Sequence, residues 1–264
     1  MKTRIISGII MAAIVAAVLT VGYLWATIII AIAVALLAAA AVYELVCNAG
    51  GINNKAILIG ACVYAALTVM AGHLLSFVGV ITTTVLYGVY MAVMVLVNHK
   101  ELDLGKIALV YALPIPFALA FYFLCTMISY DKGLYYLLML LNFSSICDMG
   151  AYFTGVTIGK HKLCPEISPK KTVEGAIGGI VSSLVFTVII SLLFNKFSVA
   201  ILLATIPLCV LGMVGDLFAS AIKRSVNLKD YSNLIPGHGG IMDRLDSIIM
   251  IVPFMFVLCI WGII

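Results

Sequence analysis

The sequence predicts an all-α, polytopic integral membrane protein with about nine transmembrane helices, and three observations carry that expectation. Of the 264 residues, 64% are hydrophobic and only 10% charged. Soluble domains carry roughly 25% charged residues, so a soluble domain is excluded. Apolar runs near the roughly 20 residues needed to cross hydrocarbon recur from one end of the chain to the other. Those runs are continuous rather than alternating, which favours helices over the strands of a barrel.

Charged and turn residues place the spans at 5–21, 24–44, 56–75, 77–97, 107–128, 134–156, 173–194, 198–218 and 248–264. No charge marks the break at Gly22-Tyr23. Lys2 and Arg4 stand before the first run as they would in a secretory signal. The run continues to Tyr43, beyond a signal's short core, so the first helix reads as a retained anchor. Pro114 and Pro116 fall inside the fifth span and predict a kink there. The seven cysteines form no C-x-x-C pair and most lie in apolar runs, so they read as small core residues rather than disulfides or metal ligands.

With the N-terminus inside, every Lys and Arg except Lys132 and Lys196 falls on the cytoplasmic side. That is the bias the positive-inside rule requires. It predicts a multi-pass protein of the cell (inner) membrane with a cytoplasmic N-terminus and active site, and an outside C-terminus. Acidic residues, all but Asp131, fall on the same side, and charges of both signs gather in two polar segments, Asp148–Glu174 and Asp216–Asp246. Residues 1–130 therefore read as a scaffold of helices with room for dimer contacts, and 131–264 as the catalytic region with its cytoplasmic loops. A transporter of inverted repeats would show broken helices in both halves, whereas here the polar chemistry sits in the second alone.

In the first polar segment, Asp148 lies about eight residues inside its span, roughly 12 Å deep. A carboxylate at that depth costs several kcal/mol unless paired, hydrated or metal-bound, and such charges usually mark sites. An ion pair with a nearby lysine is the plainer alternative. Ser168-Pro169 reads as an N-cap followed by proline at the first helical position, which puts Lys170 and Lys171 in the first turn of the seventh span. Cations there oppose the helix dipole unless a phosphate chain binds between them. Topology marks or contacts with anionic headgroups are the alternative reading. Lys160, His161 and Lys162 read as a solvated loop, and Gly178-Gly179 as a helix-packing contact.

In the second polar segment, a helix continuing past the membrane edge would put Asp216, Ser220, Lys223 and Asn227 on one face. Asp243 and Asp246, three apart, likewise point the same way. Three carboxylates, Asp216, Asp243 and Asp246, repel one another unless a cation lies between them, and magnesium with substrate phosphates satisfies that need. Lys223, Arg224 and Arg244 add fixed positive charge for the same oxygens. A network of salt bridges is the structural alternative. Pro236-Gly237-His238-Gly239-Gly240 cannot be regular helix, and its glycines allow backbone N–H groups to turn towards an anion. His238 has no second His or Cys at zinc-ligand spacing.

The stretch Ser220-x-x-Lys223-Arg224-x4-Lys229-Asp230-x5-Pro236-Gly237-His238-Gly239-Gly240-x-x-Asp243-Arg244-x-Asp246 resembles the signature of the phosphatidate cytidylyltransferases. Asp148-x-Gly-Ala-Tyr152 with Ser168-Pro169-Lys170-Lys171-Thr172-x-Glu174-Gly175 is similar to that family's second pattern, although Met149 stands where a threonine is usual. The resemblance implies that CTP and phosphatidate give CDP-diacylglycerol and pyrophosphate, with magnesium required and a second cation left open. It further implies metal binding at Asp216 and Asp243, with Asp246 as a third carboxylate, and a homodimer among membrane lipids with no nucleic-acid partner. Asp148, Lys223, Arg224, Asp243, Arg244 and Asp246 would serve catalysis. Ser168, Lys170, Lys171, Ser220, Lys229, Gly237, His238, Gly239 and Gly240 would bind substrate. Two other readings stand beside it: a related CTP-dependent lipid enzyme, such as a polyprenol kinase or an ether-lipid cytidylyltransferase, and a transporter.

Overall fold

The computed structural model describes residues 2–24, 27–100, 102–237 and 239–264. The described residues are helical except for one small hairpin and the loops. Among the described residues, six helices are long and apolar enough to cross a membrane: Ile28–Ala49, Lys55–Val97, Leu104–Ser129, Gly133–Ile158, Val173–Leu193 and Val199–Ser225. The chain is a multi-pass membrane protein. Of the remaining expected spans, the first lies in α1 (Lys2–Leu24) and the last in α10 (Met242–Ile260), whose first turns carry Asp243, Arg244 and Asp246.

The chain forms two compact units, one of residues 1–129 with 228–244 and one of residues 130–227 with 245–264. In the first unit, α2 (Ile28–Tyr43) runs into a π-helical segment, Glu44–Ala49, before α3 (Lys55–Val97). At 43 residues α3 would be about 65 Å long if straight, twice a hydrocarbon core. It is not straight: Ser76 takes φ 56° and ψ −146°, and the helix folds back there into two arms. Tyr64 stacks on Tyr87 with ring centroids 4.1 Å apart, and Thr68 Oγ1 meets Thr83 Oγ1 at 3.1 Å. The spans expected at 56–75 and 77–97 are these arms. Small residues bring them together, and Gly79 sits directly against the backbone of Ala71. Next, α4 (Leu104–Ala112) stops at Leu113 and α5 (Pro114–Ser129) begins at the proline. The expected kink is there because Pro114 has no N–H to continue the helix.

In the second unit, α6 (Gly133–Leu141) passes through a π-helical segment, Asn142–Ile146, into α7 (Cys147–Ile158). α8 (Val173–Leu193) and α9 (Val199–Ser225) pack beside them. Asn142 is fully buried; its Nδ2 donates to Ser183 O at 3.1 Å and to Thr187 Oγ1 at 2.9 Å, and Thr187 Oγ1 meets Thr205 Oγ1 at 3.0 Å. Hydroxyls and amides of this kind hold helices together where lipid gives no hydrophobic incentive to associate. Gly178 and Gly179 face Thr154 and Cys147 of α7 at less than side-chain distance, the packing role expected of them. The seven cysteines are free thiols.

The hairpin corrects the sequence reading. Ser168–Thr172 is a strand, β2, paired antiparallel with β1 (Lys162–Cys164), and α8 starts four residues later than Ser168-Pro169 suggested. Proline pushes the residue before it into extended backbone, which suits a strand as well as an N-cap. Thr172 caps α8 instead, its Oγ1 accepting from Gly175 N at 3.1 Å. Asn227 also departs from expectation: α9 ends at Ser225, and Asn227 has φ 57°, a left-handed residue past the helix end that leaves the face of Asp216 and Ser220.

A branched side chain at position 79 has only the Ala71 backbone to push against, whereas a Cβ at Gly88 meets nothing within 4 Å. Gly79→Leu is expected to lower the thermal midpoint in detergent by an amount matching about 1–3 kcal/mol of overpacking, and Gly88→Leu to leave it unchanged. Equal midpoints for the two variants would contradict the fold-back at Ser76.

Candidate functional site

In the second unit a charged cluster forms around Lys171. Alternation along β2 sends Lys170 and Lys171 to opposite faces. Lys170 is exposed, while Lys171 Nζ stands 2.5 Å from Asp216 Oδ2. The contact is an ion pair, and the ammonium itself is shut off from solvent, with Asp216 as its counter-charge. Ser220, one turn along α9, donates to Asp216 Oδ1 at 3.4 Å, as the helical spacing predicted.

Asp148 sits in the first turn of α7, directly after the π-helical segment, with Lys171 and Asp216 as its electrostatic neighbours. Asp246 is flanked by the charges of Asp216, Lys223 and Asp148, and its Oδ1 accepts from Ser247 N at 2.8 Å. Gly215 explains why α9 approaches so closely: a Cβ there would lie 2.7 Å from Asp246 O. Lys223 is buried at the end of α9, and Arg224 beside it is exposed. The structure thus gathers Asp148, Lys171, Asp216, Ser220, Lys223 and Asp246, and leaves Lys170 and Arg224 facing out. Ser168, half-buried, opens β2 opposite Cys164.

The hairpin that carries Lys171 is held at its base by Glu174. Its carboxylate accepts from Lys160 N at 3.0 Å and from His161 N at 3.1 Å, and meets His161 Nδ1 at 2.6 Å. Lys160, His161 and Lys162 are exposed, as a solvated loop should be.

In the first unit the glycine-rich loop is built on two carboxylates. Asp243 Oδ2 accepts from Tyr231 N at 2.8 Å and from Gly240 N at 2.9 Å. Ile235 and Gly239 exchange backbone bonds at 2.8 and 3.1 Å, closing a tight turn whose Gly237 and Gly239 have φ 77° and 84°. His238 lies outside the described residues. Lys229 and Arg244 are exposed. The second carboxylate, Glu44, was not among the expected site residues. It is 2% exposed and accepts from Ser232 Oγ, Ile241 N and Met242 N. A lone acid ending an apolar run was its sequence signal.

Among the described residues no three His, Cys, Asp or Glu stand ready to hold a metal by themselves. Magnesium does not need such a cage: it takes one or two carboxylates and completes its shell with water and substrate phosphates. The all-oxygen pair Asp216 and Asp246 fits that habit. The ammonium of Lys171, paired with Asp216, is a charge of the kind that also meets a phosphate oxygen.

The family model for the cytidylyltransferase family matches residues 2–261. The chain belongs to the cytidylyltransferase family. It is 50% identical over 113 residues to the phosphatidate cytidylyltransferase of Bacillus subtilis, a stretch covering 42% of each chain. It is 42% identical over 133 residues to the enzyme of that name from Staphylococcus saprophyticus, covering 49% of this chain and 51% of the relative. The Staphylococcus haemolyticus relative, also a phosphatidate cytidylyltransferase, is 44% identical over 133 residues. The chain spans about half the length of the curated relatives it matches.

The strand geometry reverses an expectation drawn from a first helical turn. There, replacing both lysines with Gln would weaken substrate binding and leave the bare helix slightly more stable, because their opposition to the helix dipole is gone. In β2 the lysines differ: Lys171→Gln strips Asp216 of its counter-charge, and Lys170→Gln removes a solvated cation. Lys171→Gln is expected to destabilise by roughly 1–3 kcal/mol, between the values for surface and buried pairs, and Lys170→Gln by much less. Thermal unfolding in detergent reads the difference.

Proposed function

We propose that this chain is a phosphatidate cytidylyltransferase, joining CTP and phosphatidate into CDP-diacylglycerol with release of pyrophosphate. The single observation that carries the proposal is the Lys171–Asp216 pair: an ammonium shut off from solvent and set among the carboxylates of Asp216 and Asp148, in a chain of the cytidylyltransferase family. That combination suits a polyphosphate bound with magnesium better than it suits a transported solute. The names of the relatives support the lipid acceptor.

A phosphate monoester has its second pKa near 6, so the phosphatidate oxygen is already a dianionic nucleophile at neutral pH. It attacks the α-phosphorus of CTP in line; the new bond forms as the bond to the bridging oxygen of pyrophosphate breaks, and no strong general base is needed. The residues therefore work by placement and charge. Lys171 orients a phosphate oxygen, and Lys223, Arg224 and Arg244 offset the negative charge that gathers on the leaving pyrophosphate. Ser220 holds the carboxylate of Asp216 in place, and Lys229, Lys170 and Ser168 meet the substrates from the surface. Gly237, His238, Gly239 and Gly240 offer backbone to the nucleotide. Asp148 keeps Lys171 charged and turned inward. Magnesium, when bound at Asp216 and Asp246, with Asp243 as the ligand the family resemblance adds, supplies charge neutralisation at the phosphates. The reading extends to a homodimer in the cell (inner) membrane with the site on the cytoplasmic face, where CTP is available.

Purified protein in detergent, given CTP, phosphatidate and magnesium, is expected to yield CDP-lipid and pyrophosphate in equal amounts. Asp216→Asn should cut turnover by about a hundredfold or more while the protein remains folded, and chelation of magnesium should abolish turnover reversibly. Near-normal turnover of Asp216→Asn would remove the metal assignment. CDP released in place of pyrophosphate would identify a kinase.

A further inference from the structure

Glu44 begins the π-helical segment at the end of α2, far in sequence from the polar segments. Its carboxylate takes three donors: Ser232 Oγ at 2.6 Å, Ile241 N at 3.0 Å and Met242 N at 2.8 Å. The two backbone groups lie at the start of α10, where the first turn of a helix leaves N–H groups without partners and attracts negative charge. The hydroxyl comes from the opposite end of the loop. One buried acid thus pins both ends of the segment 232–242. One turn on, Asn48 Nδ2 donates to Tyr231 O at 2.8 Å and ties the loop to the same π-helical segment.

The loop's sequence is shaped by this dock. A Cβ on Gly240 would strike the Glu44 carboxylate, and a Cβ on Gly239 would come 2.8 Å from Asp243 Oδ2. The glycines are therefore required by two carboxylates that occupy side-chain space, and not only by the turn. Ordinary helix starts are capped by a local Ser, Thr, Asp or Asn. Here the cap is delivered from 198 residues away, which fixes the loop's position as well as its end. Burying a carboxylate costs several kcal/mol unless every lone pair it offers is used, so the dock is rigid once formed.

We propose that Glu44 is a positioning residue for cytidylyl transfer: its carboxylate holds the glycine loop's backbone in the shape that receives the nucleotide's phosphates. The inference rests on the reading of this chain as a CTP-dependent transferase. It assigns a role in the reaction to a side chain from the helices expected to be scaffold alone.

Steady-state kinetics of the purified full chain test it, with CTP and phosphatidate varied separately. Glu44→Gln is expected to raise the KM for CTP and to lower kcat/KM for CTP by about tenfold or more, with the KM for phosphatidate unchanged. Glu44→Asp should recover part of the loss. Gly240→Ala should reproduce the CTP effect, and the double variant should be less impaired than the two single losses combined, because both disturb one contact. Should Glu44→Gln fail to fold, Ser232→Ala removes one hydrogen bond only and is expected to raise the KM for CTP about threefold. An unchanged KM for CTP in the folded variants would overturn the proposal. So would equal losses for both substrates that track a fall in thermal midpoint. Wild-type protein that makes no CDP-lipid would instead defeat the functional reading, whereas active wild type with unaffected variants would defeat this inference alone.

Discussion

A charge inside a chain this apolar must find a partner before anything else about the fold is settled. Moving a carboxylate or ammonium out of water costs several kcal/mol, and only a close counter-charge or a full set of donors returns it. The two units meet this constraint in different ways. In the second, Lys171 and Asp216 neutralise each other, and the demand for that contact explains the strand that delivers the lysine. In the first, Glu44 and Asp243 are satisfied by backbone N–H groups, and that demand shapes the loop around them.

The carboxylates singled out for chemistry therefore divide by what they touch. Asp148, Asp216 and Asp246 share an electrostatic neighbourhood with lysines. Asp243 spends Oδ2 on holding Tyr231 and Gly240. An acid held by backbone N–H groups and an acid set among charged side chains are chemically distinct. Spacing in the sequence cannot separate them, because Asp243 and Asp246 flank the same arginine in the first turns of one helix.

Hydropathy carried most of the fold. The fold-back at Ser76 and the extent of α8 fall where apolar runs were divided, because the membrane imposes one length on every crossing, and the break before Pro114 falls where proline predicted a kink. What was not legible were the places where two local signals compete. Ser168-Pro169 satisfies the rules for a helix start and also those for extended backbone before proline. Thr172, followed by Glu174 and Gly175, was the stronger cap, since its hydroxyl reaches Gly175 while Glu174 gathers the hairpin's base. Glu44 was missed for another reason. Its partners lie at least 188 residues away, and no window along the chain contains both ends of such a contact.

The direct test of the account is the fate of the CTP phosphates. Protein in vesicles containing phosphatidate, given magnesium and CTP labelled in separate experiments at the α- or the γ-phosphorus, is expected to place the α label in lipid and the γ label in free pyrophosphate. Transfer of the γ label to lipid, or retention of both labels in unreacted CTP under conditions where the protein is folded, would contradict it.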